Sequence, residues 1–394
     1  MTEVGTSSIR TQRTRVERGV GAADGTTSRL IERMDALQAL REPWNELVAA
    51  SDADAVFTRH EWFEQWIRAY GVESALAVQT TWRDGQLVGV APLYRSQLVF
   101  RGLRTRSLAW LWSAVAPRCN LLVAHPDDVP PLLDAVLATP GWDVVVAENL
   151  PVASTVTERL LAELAVRGRP HQIVETFRSP YRVLEDDYET FWKGLDRERR
   201  RYLQKKCINR LERQEGVETR TLRSRAELEV FLPEMYALSA RSWKAELGSG
   251  LAPESPEARL LVGFARIGLE RGWVRIDTLR LAGRLLAFEY MLVSGGRYAV
   301  ARSDYDPDDK YLTPGNSLRL RILRSLLDDP AATEYDLAGG DAPYKREWCN
   351  AIRPHVTLTV GNDTLRGRLV LTAKNVLLPA LRRLRSGARE ETPA

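Results

Sequence analysis

The sequence lacks several features that define large classes of proteins. It has three cysteines in 394 residues, Cys119, Cys207 and Cys349, an odd number with no paired spacing. This excludes a disulfide framework and the usual zinc-binding patterns, and it predicts a reducing, cytoplasmic setting. The pattern of a nucleophile elbow and the Ser/His/Asp spacing of hydrolases are also missing. We therefore expect a reaction that uses neither a metal nor a covalent intermediate.

Long apolar runs are missing as well. No segment reaches the roughly eighteen continuous apolar residues that a transmembrane helix needs. The nearest candidate, LVLTAKNVLLPAL at 369–381, contains a lysine, an asparagine and Pro379. A terminal helix docked on the core is the favoured interpretation. Because arginines follow, peripheral contact with a membrane surface is the alternative.

Neither sign of charge is in large excess. The 56 basic and 52 acidic side chains give a net charge of +4, which does not indicate a nucleic-acid-binding coat. Apolar residues make up 44% and charged residues 27%, a profile typical of a folded globular protein. Residues 1–28 contain no apolar run resembling a signal peptide and are predicted to form a disordered, mildly basic arm.

The rest of the chain predicts two similar halves. The second half reads as a strand, helices, a three-stranded meander, a helix, a strand, a short helix and a final strand. The first half repeats this order more loosely, and its hairpin across Asp84 and Gly85 matches the hairpin across 282–284. An internal duplication explains both patterns most simply. The predicted units are an N-terminal domain at 29–185, a basic linking helix at 186–216, a C-terminal domain at 217–365, and a terminal helix and tail at 366–394.

Several local signals mark helix starts in the second half. Ser224 and Glu227 form a capping box, which predicts a helix from that point. Pro233 is predicted to begin the next helix, because proline is favoured at the first helical position. Ser255 and Pro256 predict a third helix.

Four stretches carry a resemblance to a known family. They are VFTRHEWFEQWIRAYG (56–71), RERRRYLQKKCINRLERQEG (197–216), YDPDDKYLTPG (305–315) and YDLAGGDAPYKREW (335–348). In them the chain resembles the CelD/BcsL-type acetyltransferases of cellulose biosynthesis, a GNAT family related to the tandem-GNAT FemAB-like transferases. The resemblance covers about residues 40 to 350. It implies an α/β (mixed α+β) fold of two GNAT domains, acyl-CoA N-acyltransferase-like, with mixed, largely antiparallel sheets, the first half being degenerate.

The resemblance also implies a chemistry. An acyl group, acetyl in the simplest case, is expected to pass from acyl-CoA to an amine or hydroxyl of a small-molecule or saccharide acceptor, in exopolysaccharide or natural-product biosynthesis. GNAT enzymes hold the donor pyrophosphate with amides at a helix start, a role that falls here on Pro314, Gly315, Asn316 and Ser317. A capped helix without a ligand is supported equally well. The single glycine and the acidic 306–309 segment depart from the usual loop and disfavour phosphate.

The segment 338–350 is the candidate catalytic turn, because it follows a strand at the sheet edge. Asp341 is predicted to act as a base or to orient an ammonium group, Tyr344 to protonate a leaving group, and Lys345 to offset developing negative charge. The alternative is a capping turn in which Asp341 caps a short helix. Trp348 is predicted to fill the core.

Other acidic residues are candidate bases. Asp304 and Asp306 alternate along a strand and are expected to share a face, where mutual repulsion raises one pKa. The alternative is that they are only turn-forming residues at the end of the strand. Glu289 lies in an otherwise apolar strand, and burying a carboxylate without a purpose is costly. His60 is a weaker candidate, with a polar residue at a helix start as the favoured alternative.

The basic helix 197–213 offers a phosphate-binding surface. Leu203, Cys207 and Leu211 recur every four residues and mark its buried side. The predicted ligands include a nucleotide-linked acceptor, tRNA and anionic lipid, and a solvated helix is the alternative. Two rival functions follow: a FemAB-like aminoacyl-tRNA-dependent transferase and a non-catalytic scaffold. The phosphate-binding candidates on this helix are Arg197, Arg200, Arg201 and Lys205.

Overall fold

The computed structural model describes residues 20–21, 25–51, 55–100, 102–113, 115, 118–373 and 375. Most of the predicted disordered arm lies outside these residues, but its last residues belong to a strand at Thr27–Ile31. The chain after 375, which includes residues 376–381 of the predicted membrane-surface segment, lies outside them too. Within the described ranges, every helix is too short or too polar to cross a bilayer.

Both halves of the chain contain strands and helices. The strands are β1 (Val20–Gly21), β2 (Thr27–Ile31), β3 (Val78–Arg83), β4 (Gln86–Ala91), β5 (Leu93–Phe100), β6 (Leu103–Trp110), β7 (Leu122–Val123), β8 (Val144–Pro151), β9 (His171–Val183), β10 (Val217–Thr221), β11 (Val274–Leu281), β12 (Arg284–Ser294), β13 (Arg297–Tyr305), β14 (Glu334–Asp336) and β15 (Ala351–Gly361). The helices are α1 (Met34–Ala39), α2 (Arg41–Ala50), α3 (Ala55–Thr58), α4 (His60–Tyr70), α5 (Val129–Ala138), α6 (Thr155–Val166), α7 (Tyr188–Gly194), α8 (Arg197–Tyr202), α9 (Asn209–Glu212), α10 (Arg225–Arg241), α11 (Trp243–Glu246), α12 (Pro256–Gly268), α13 (Pro314–Leu327), α14 (Pro343–Arg346) and α15 (Leu365–Thr372). Short 3₁₀ turns lie at Glu73–Ala75, Pro126–Asp128 and Pro307–Leu312, and a π-helical turn at Leu203–Ile208 joins α8 to α9.

The predicted hairpins and the duplication are visible in the structure. The β3–β4 turn has positive φ at Asp84 (52°) and Gly85 (78°), and the β11–β12 turn has positive φ at Ala282 (47°) and Gly283 (80°). Two successive left-handed residues are typical of the type I′ turn, which matches the twist of a hairpin. Each half also contains a parallel crossover, β6–α5–β8 in the first and β13–α13–β14 in the second.

The two halves exchange their last strands. The large sheet runs β10-β11-β12-β13-β14-β9-β15-β8-β6-β5. Strand β9 of the first half pairs with β14 of the second, and β15 of the second half pairs with β8 of the first. A boundary near residue 185 therefore separates two similar sequences but not two sheets.

The first half divides its strands between two sheets. Strands β1 to β4 and β7 form a separate small sheet, in the order β1-β2-β3-β4-β7. The chain turns at Pro92 from β4 into β5, which belongs to the large sheet, and proline fits this junction because it cannot donate a ladder hydrogen bond. The sequence interpretation treated 87–94 as one strand and missed the β5–β6 hairpin, which turns at Gly102 with φ 83°.

Two helix predictions need correction. Pro233 does not start a helix but lies inside α10, where it removes one backbone hydrogen bond without breaking the helix. The predicted linking helix at 186–216 is α7 followed by the helical run from α8 to α9. Leu203, Cys207 and Leu211 are buried in that run, as their spacing predicted, so it packs on the second half instead of crossing solvent.

Candidate functional site

The sheet of the second half opens at the carboxyl end of β13. This strand pairs in parallel with β14 over three positions only, from Arg297 opposite Glu334 to Ala299 opposite Asp336. Beyond Ala299, β13 continues to Tyr305 with no described strand beside it on that edge. The chain leaves β14 through Ala338 and Gly339, both with positive φ, 50° and 58°. The predicted catalytic turn therefore borders the opening.

Helix α13 begins at the same edge with an uncapped N-terminus. Its N-cap, Thr313, has φ 49° and makes no side-chain capping bond, and its hydroxyl lies 3.3 Å from the carbonyl of Lys206. The first amides of a helix have no intrahelical partner, so those of Gly315 and Asn316 are available to an anion. A Cβ at residue 315 would lie 3.1 Å from Tyr305 Cδ1, which explains the need for glycine.

The acidic segment before α13 is neutralised by arginines. Arg284 donates to Asp306 and to Asp309, and Arg241 donates to Asp306 at 3.0 Å. Asp306 also caps the turn that follows it, through the amide of Asp308 at 3.1 Å. A carboxylate engaged in this way is ill suited to remove a proton. The negative charge of the 306–309 segment, which in the sequence argued against phosphate binding, is thus largely compensated.

Asp304 does not share this environment. Its Oδ2 accepts hydrogen bonds from Ser239 at 2.9 Å and Arg302 at 2.7 Å, and its Oδ1 lies 3.4 Å from Lys244 Nζ. The expected pair of repelling carboxylates is therefore not formed, because each has its own cations.

Asp341 forms an ion pair in the candidate catalytic turn. Both of its oxygens accept hydrogen bonds from Arg346, and these bonds lower the pKa of Asp341. The N-cap of α14 is Ala342, so Asp341 does not cap that helix. A carboxylate with a lowered pKa is a weaker base, so Asp341 is better suited to orienting a ligand than to removing a proton.

Two lysines face the opening from opposite sides. Lys345 donates to the carbonyl of Ala338, and burial lowers its pKa to about 8. Lys244, which the sequence interpretation missed, donates to the carbonyl of Ser303 at 2.5 Å, and burial lowers its pKa as well. Tyr344 remains 46% exposed beside Lys345. A tunable amino group and a phenol therefore lie together at the edge of the opening.

A buried ion pair lies behind the opening. Glu289 on β12 accepts a hydrogen bond from Arg319 of α13 at 3.1 Å and another from the hydroxyl of Tyr335 on β14. Glu289 is 2% exposed and Arg319 is 7% exposed. The carboxylate thus ties helix to sheet, since each of its oxygens accepts one of these hydrogen bonds. The sequence could have drawn attention to Arg319, because this arginine lies among the apolar residues on the buried face of a predicted helix.

A second buried carboxylate, Asp336, joins the two halves at the end of β14. It accepts hydrogen bonds from Arg118, from Arg353 at 2.7 Å and from Ser179 at 3.1 Å. Burial opposes its ionisation, but the two arginines outweigh burial and hold the pKa of Asp336 below its usual value. The sequence interpretation assigned no role to this group. Its members come together only in the folded chain, because Arg118 and Ser179 belong to the first half and Asp336 to the second.

The basic helix lies directly beside the start of α13. The Nδ2 of Asn316 donates to the hydroxyl of Tyr202 at 3.1 Å. Arg197, Arg201 and Lys205 are exposed and spaced four residues apart. Arg200 differs, because it donates to the carbonyls at the end of α7, at 2.9 Å and 2.8 Å. Three of the four predicted phosphate-binding residues are therefore accessible near the predicted donor site.

Trp348 fills the core, as predicted. It is 1% exposed, and its ring lies 4.7 Å from the guanidinium carbon of Arg199. His60 is also a structural residue: it is fully buried, its Nε2 lies 2.8 Å from the carbonyl of Leu37, and burial lowers its pKa.

The described part of the first half lacks the features of the predicted donor site. Its crossover helix α5 begins at Val129 and continues with two prolines, which carry no amide hydrogen. Asp128, immediately before it, is buried and accepts hydrogen bonds from Arg83 and from the amide of His125. A carboxylate at this helix start repels an anion. Among the described residues, no group of three or more His, Cys, Asp or Glu side chains is arranged to hold a metal.

The chain is similar to known proteins in two respects: part of its sequence matches a family model, and most of its structure aligns with solved structures. Residues 197–346 match the family model described as an acetyltransferase (GNAT) domain. No curated protein sequence matches the chain. Among solved structures, FemX aligns with 84% of this chain and 98% of its own at 11% identity and a TM-score of 0.56. L-PGS from Bacillus licheniformis aligns with 87% and 96% at 13% identity and a TM-score of 0.51.

A third structure, a tandem GNAT protein from the clavulanic acid biosynthesis pathway, aligns with 86% of this chain and 99% of its own at 12% identity and a TM-score of 0.44. At identities this low, the likeness to FemX and L-PGS shows a shared fold and nothing about substrates. The predicted fold class, a mixed α/β chain of two GNAT-like halves, is confirmed.

Proposed function

We propose that this chain, a GNAT-type acyltransferase by the domain match over 197–346, binds an acyl-CoA in the opening beside β13. The acyl group, acetyl in the simplest case, passes directly to an amine or hydroxyl of a small-molecule or saccharide acceptor. The observation that carries the proposal is the uncapped start of α13, which lies where β13 continues beyond its pairing with β14. Free amides and a positive helix end favour the pyrophosphate of the donor.

The residues around the opening supply the remaining chemistry. The acceptor nitrogen or oxygen attacks the thioester carbonyl carbon, and the carbon–sulfur bond breaks when the tetrahedral intermediate collapses. The Lys345 ammonium stabilises the oxyanion, and the Tyr344 hydroxyl gives its proton to the leaving thiolate. Asp341, kept ionised by Arg346, orients the acceptor. The proton lost by the acceptor passes to solvent.

One charge change at the start of α13 tests the donor site. Asn316→Asp places a negative charge beside the amides of the helix start. We expect the affinity for acetyl-CoA, measured by isothermal titration calorimetry, to fall by about tenfold or more. The new carboxylate and the donor pyrophosphate are both negative, and two like charges about 4 Å apart repel by about 1 kcal/mol in water and by more beside a protein. Gln97→Glu, an exposed position on β5, is the matched control. Equal affinities in all three proteins would refute the donor site, and release of free thiol with candidate acceptors then tests transfer itself.

An aminoacyl-tRNA donor is the second candidate function. The exposed stripe of Arg197, Arg201 and Lys205 favours it, because phosphate contacts from spaced cations bind nucleic acid backbones. Transfer that requires charged tRNA and stops after ribonuclease treatment would support this candidate over acyl-CoA. Binding of neither donor would leave the non-catalytic scaffold.

Two finer assignments belong to the same proposal. The CelD/BcsL-type resemblance favours an acceptor from exopolysaccharide or natural-product biosynthesis, with peripheral membrane contact through the C-terminal segment as an option for a lipid-linked acceptor. The free thiols of the three cysteines support a cytoplasmic setting.

A further inference from the structure

A cleft lies between the two halves on the helical side of the molecule. It has a volume of about 440 Å³ and is bordered by α4 of the first half and by α10 and α12 of the second. Ligand sites of small organic molecules commonly have volumes of roughly 300 to 1,000 Å³. This cleft is separate from the opening beside β13, whose residues do not line it.

Three arginines converge on the cleft, and no carboxylate lines it. Arg68 is held by Glu64 at 3.0 Å, Arg259 by the carbonyl of Ala69 at 2.7 Å, and Arg266 by Glu229. The side chains of Arg68 and Arg266 stay 49% and 41% exposed. Each arginine is thus anchored at one edge, and its other guanidinium hydrogens have no acceptor within the part of the chain that the structure describes, so they can donate to a ligand.

The other lining groups suit an organic ligand. Gln65 and Tyr236 add an amide and a hydroxyl, and neither side chain has a hydrogen-bond partner among the described residues. Leu232 and Val262 supply an apolar wall. Helix α12 packs on α4 at Gly263, where a Cβ would lie 2.3 Å from Gln65 Oε1, the movable end of that side chain. The cleft is therefore built by close packing of the two halves.

We propose that this cleft binds an oxyanion, a phosphate or carboxylate group, carried on a small organic molecule. Arginine is the side chain best suited to such groups, because its planar donors match two oxygens at once. The apolar wall contacts the organic body, and Tyr236 and Gln65 bond its polar atoms. Such a ligand contacts both halves at once. The proposal does not depend on acyl transfer.

Paired probes test the proposal by calorimetry on the full chain. Glucose 6-phosphate and citrate carry the two kinds of oxyanion, and glucose is the uncharged control. We expect saturable binding of at least one anion and none of glucose. The double variant Arg68→Gln/Arg259→Gln should weaken it by about tenfold or more, because a hydrogen bond to a charged group is worth roughly 1.5–3 kcal/mol. It should fold, since Glu64 keeps Arg41 and Gln38 as partners.

Two further variants separate this cleft from the donor site. Tyr236→Phe should weaken anion binding without removing charge, whereas Asn316→Asp should leave it unchanged. Arg104→Gln removes an exposed arginine outside the cleft and is the matched control. Binding that is absent from the wild type, or equally strong in the Arg68/Arg259 variant, would overturn the proposal. Loss of binding in Asn316→Asp alone would assign the anion to the start of α13 and overturn it too.

Discussion

Substituting Glu289 by glutamine tests whether this carboxylate is a structural partner or a catalytic base. The change keeps the shape of the side chain but removes its charge, so the guanidinium of Arg319 remains buried without a counter-ion. Removing one partner of a buried ion pair costs about 3–5 kcal/mol. Since both residues are less than a tenth exposed and the amide oxygen still accepts one hydrogen bond, we expect a loss of about 3 kcal/mol.

Urea unfolding followed by tryptophan fluorescence measures this loss. Glu254→Gln, an exposed position, is the control and should lie within about 0.5 kcal/mol of the wild type. The double variant Glu289→Leu/Arg319→Leu should recover most of the stability, because a hydrophobic pair often replaces a buried ion pair at little cost.

The contrary result is equally clear. If Glu289→Gln is as stable as Glu254→Gln but abolishes transfer, the carboxylate acts on the substrate and its ion pair with Arg319 is incidental. A Glu289→Leu/Arg319→Leu variant that is less stable than Glu289→Gln would also refute the reasoning, since it would show that the pair contributes more than mutual neutralisation.

Three further predictions concern the opening. If the Lys345 ammonium acts in transfer, kcat/KM should fall as pH rises through about 8, because the amino group loses its proton there. Lys345→Gln should lose both the activity and this pH dependence. A wild-type profile that is flat through this pH would contradict the role. The folded pKa of Lys345 lies below its ordinary value of 10.5, so the unfolded chain binds more protons than the folded chain between about pH 8 and 10.5. The free energy of unfolding of the wild type should therefore rise across that window relative to that of Lys345→Gln. A difference between the two proteins that does not change with pH would contradict the lowered pKa. Calorimetry should find one donor per chain, since two prolines and Asp128 occupy the corresponding helix start of the first half; two equivalent sites would refute this.

The sequence predicted most of the local structure of the second half. Residues 273–305 form the expected meander, α13 begins beside Gly315, and Ser224 caps α10 as its spacing indicated. These features depend on periodicity and turn chemistry within a few residues, which a single sequence records well. Trp348 was assigned to the core for the same kind of reason.

The polar partners were much harder to predict. Glu289 was noticed as an unusual carboxylate, but its partner Arg319 lies thirty residues away and meets it only when α13 packs on the sheet. Asp336 depends on Arg118 from the other half. Asp306 was predicted to be a candidate base because it alternates with Asp304, and the arginines that neutralise it, Arg241 and Arg284, are distant in sequence. Charge roles are set by tertiary contacts, whereas helix starts and turns are set locally.

The exchanged strands constrain how the molecule is made. Since β15 inserts between β9 and β8, the sheet of the first half stays incomplete on the ribosome until nearly the whole chain has emerged, leaving a bare strand edge exposed to neighbours during synthesis. Neither half is then a unit that can be cut out, permuted or grafted by itself. A lineage that altered one half would have had to keep the other in register with it, because strands of both halves pair in one sheet.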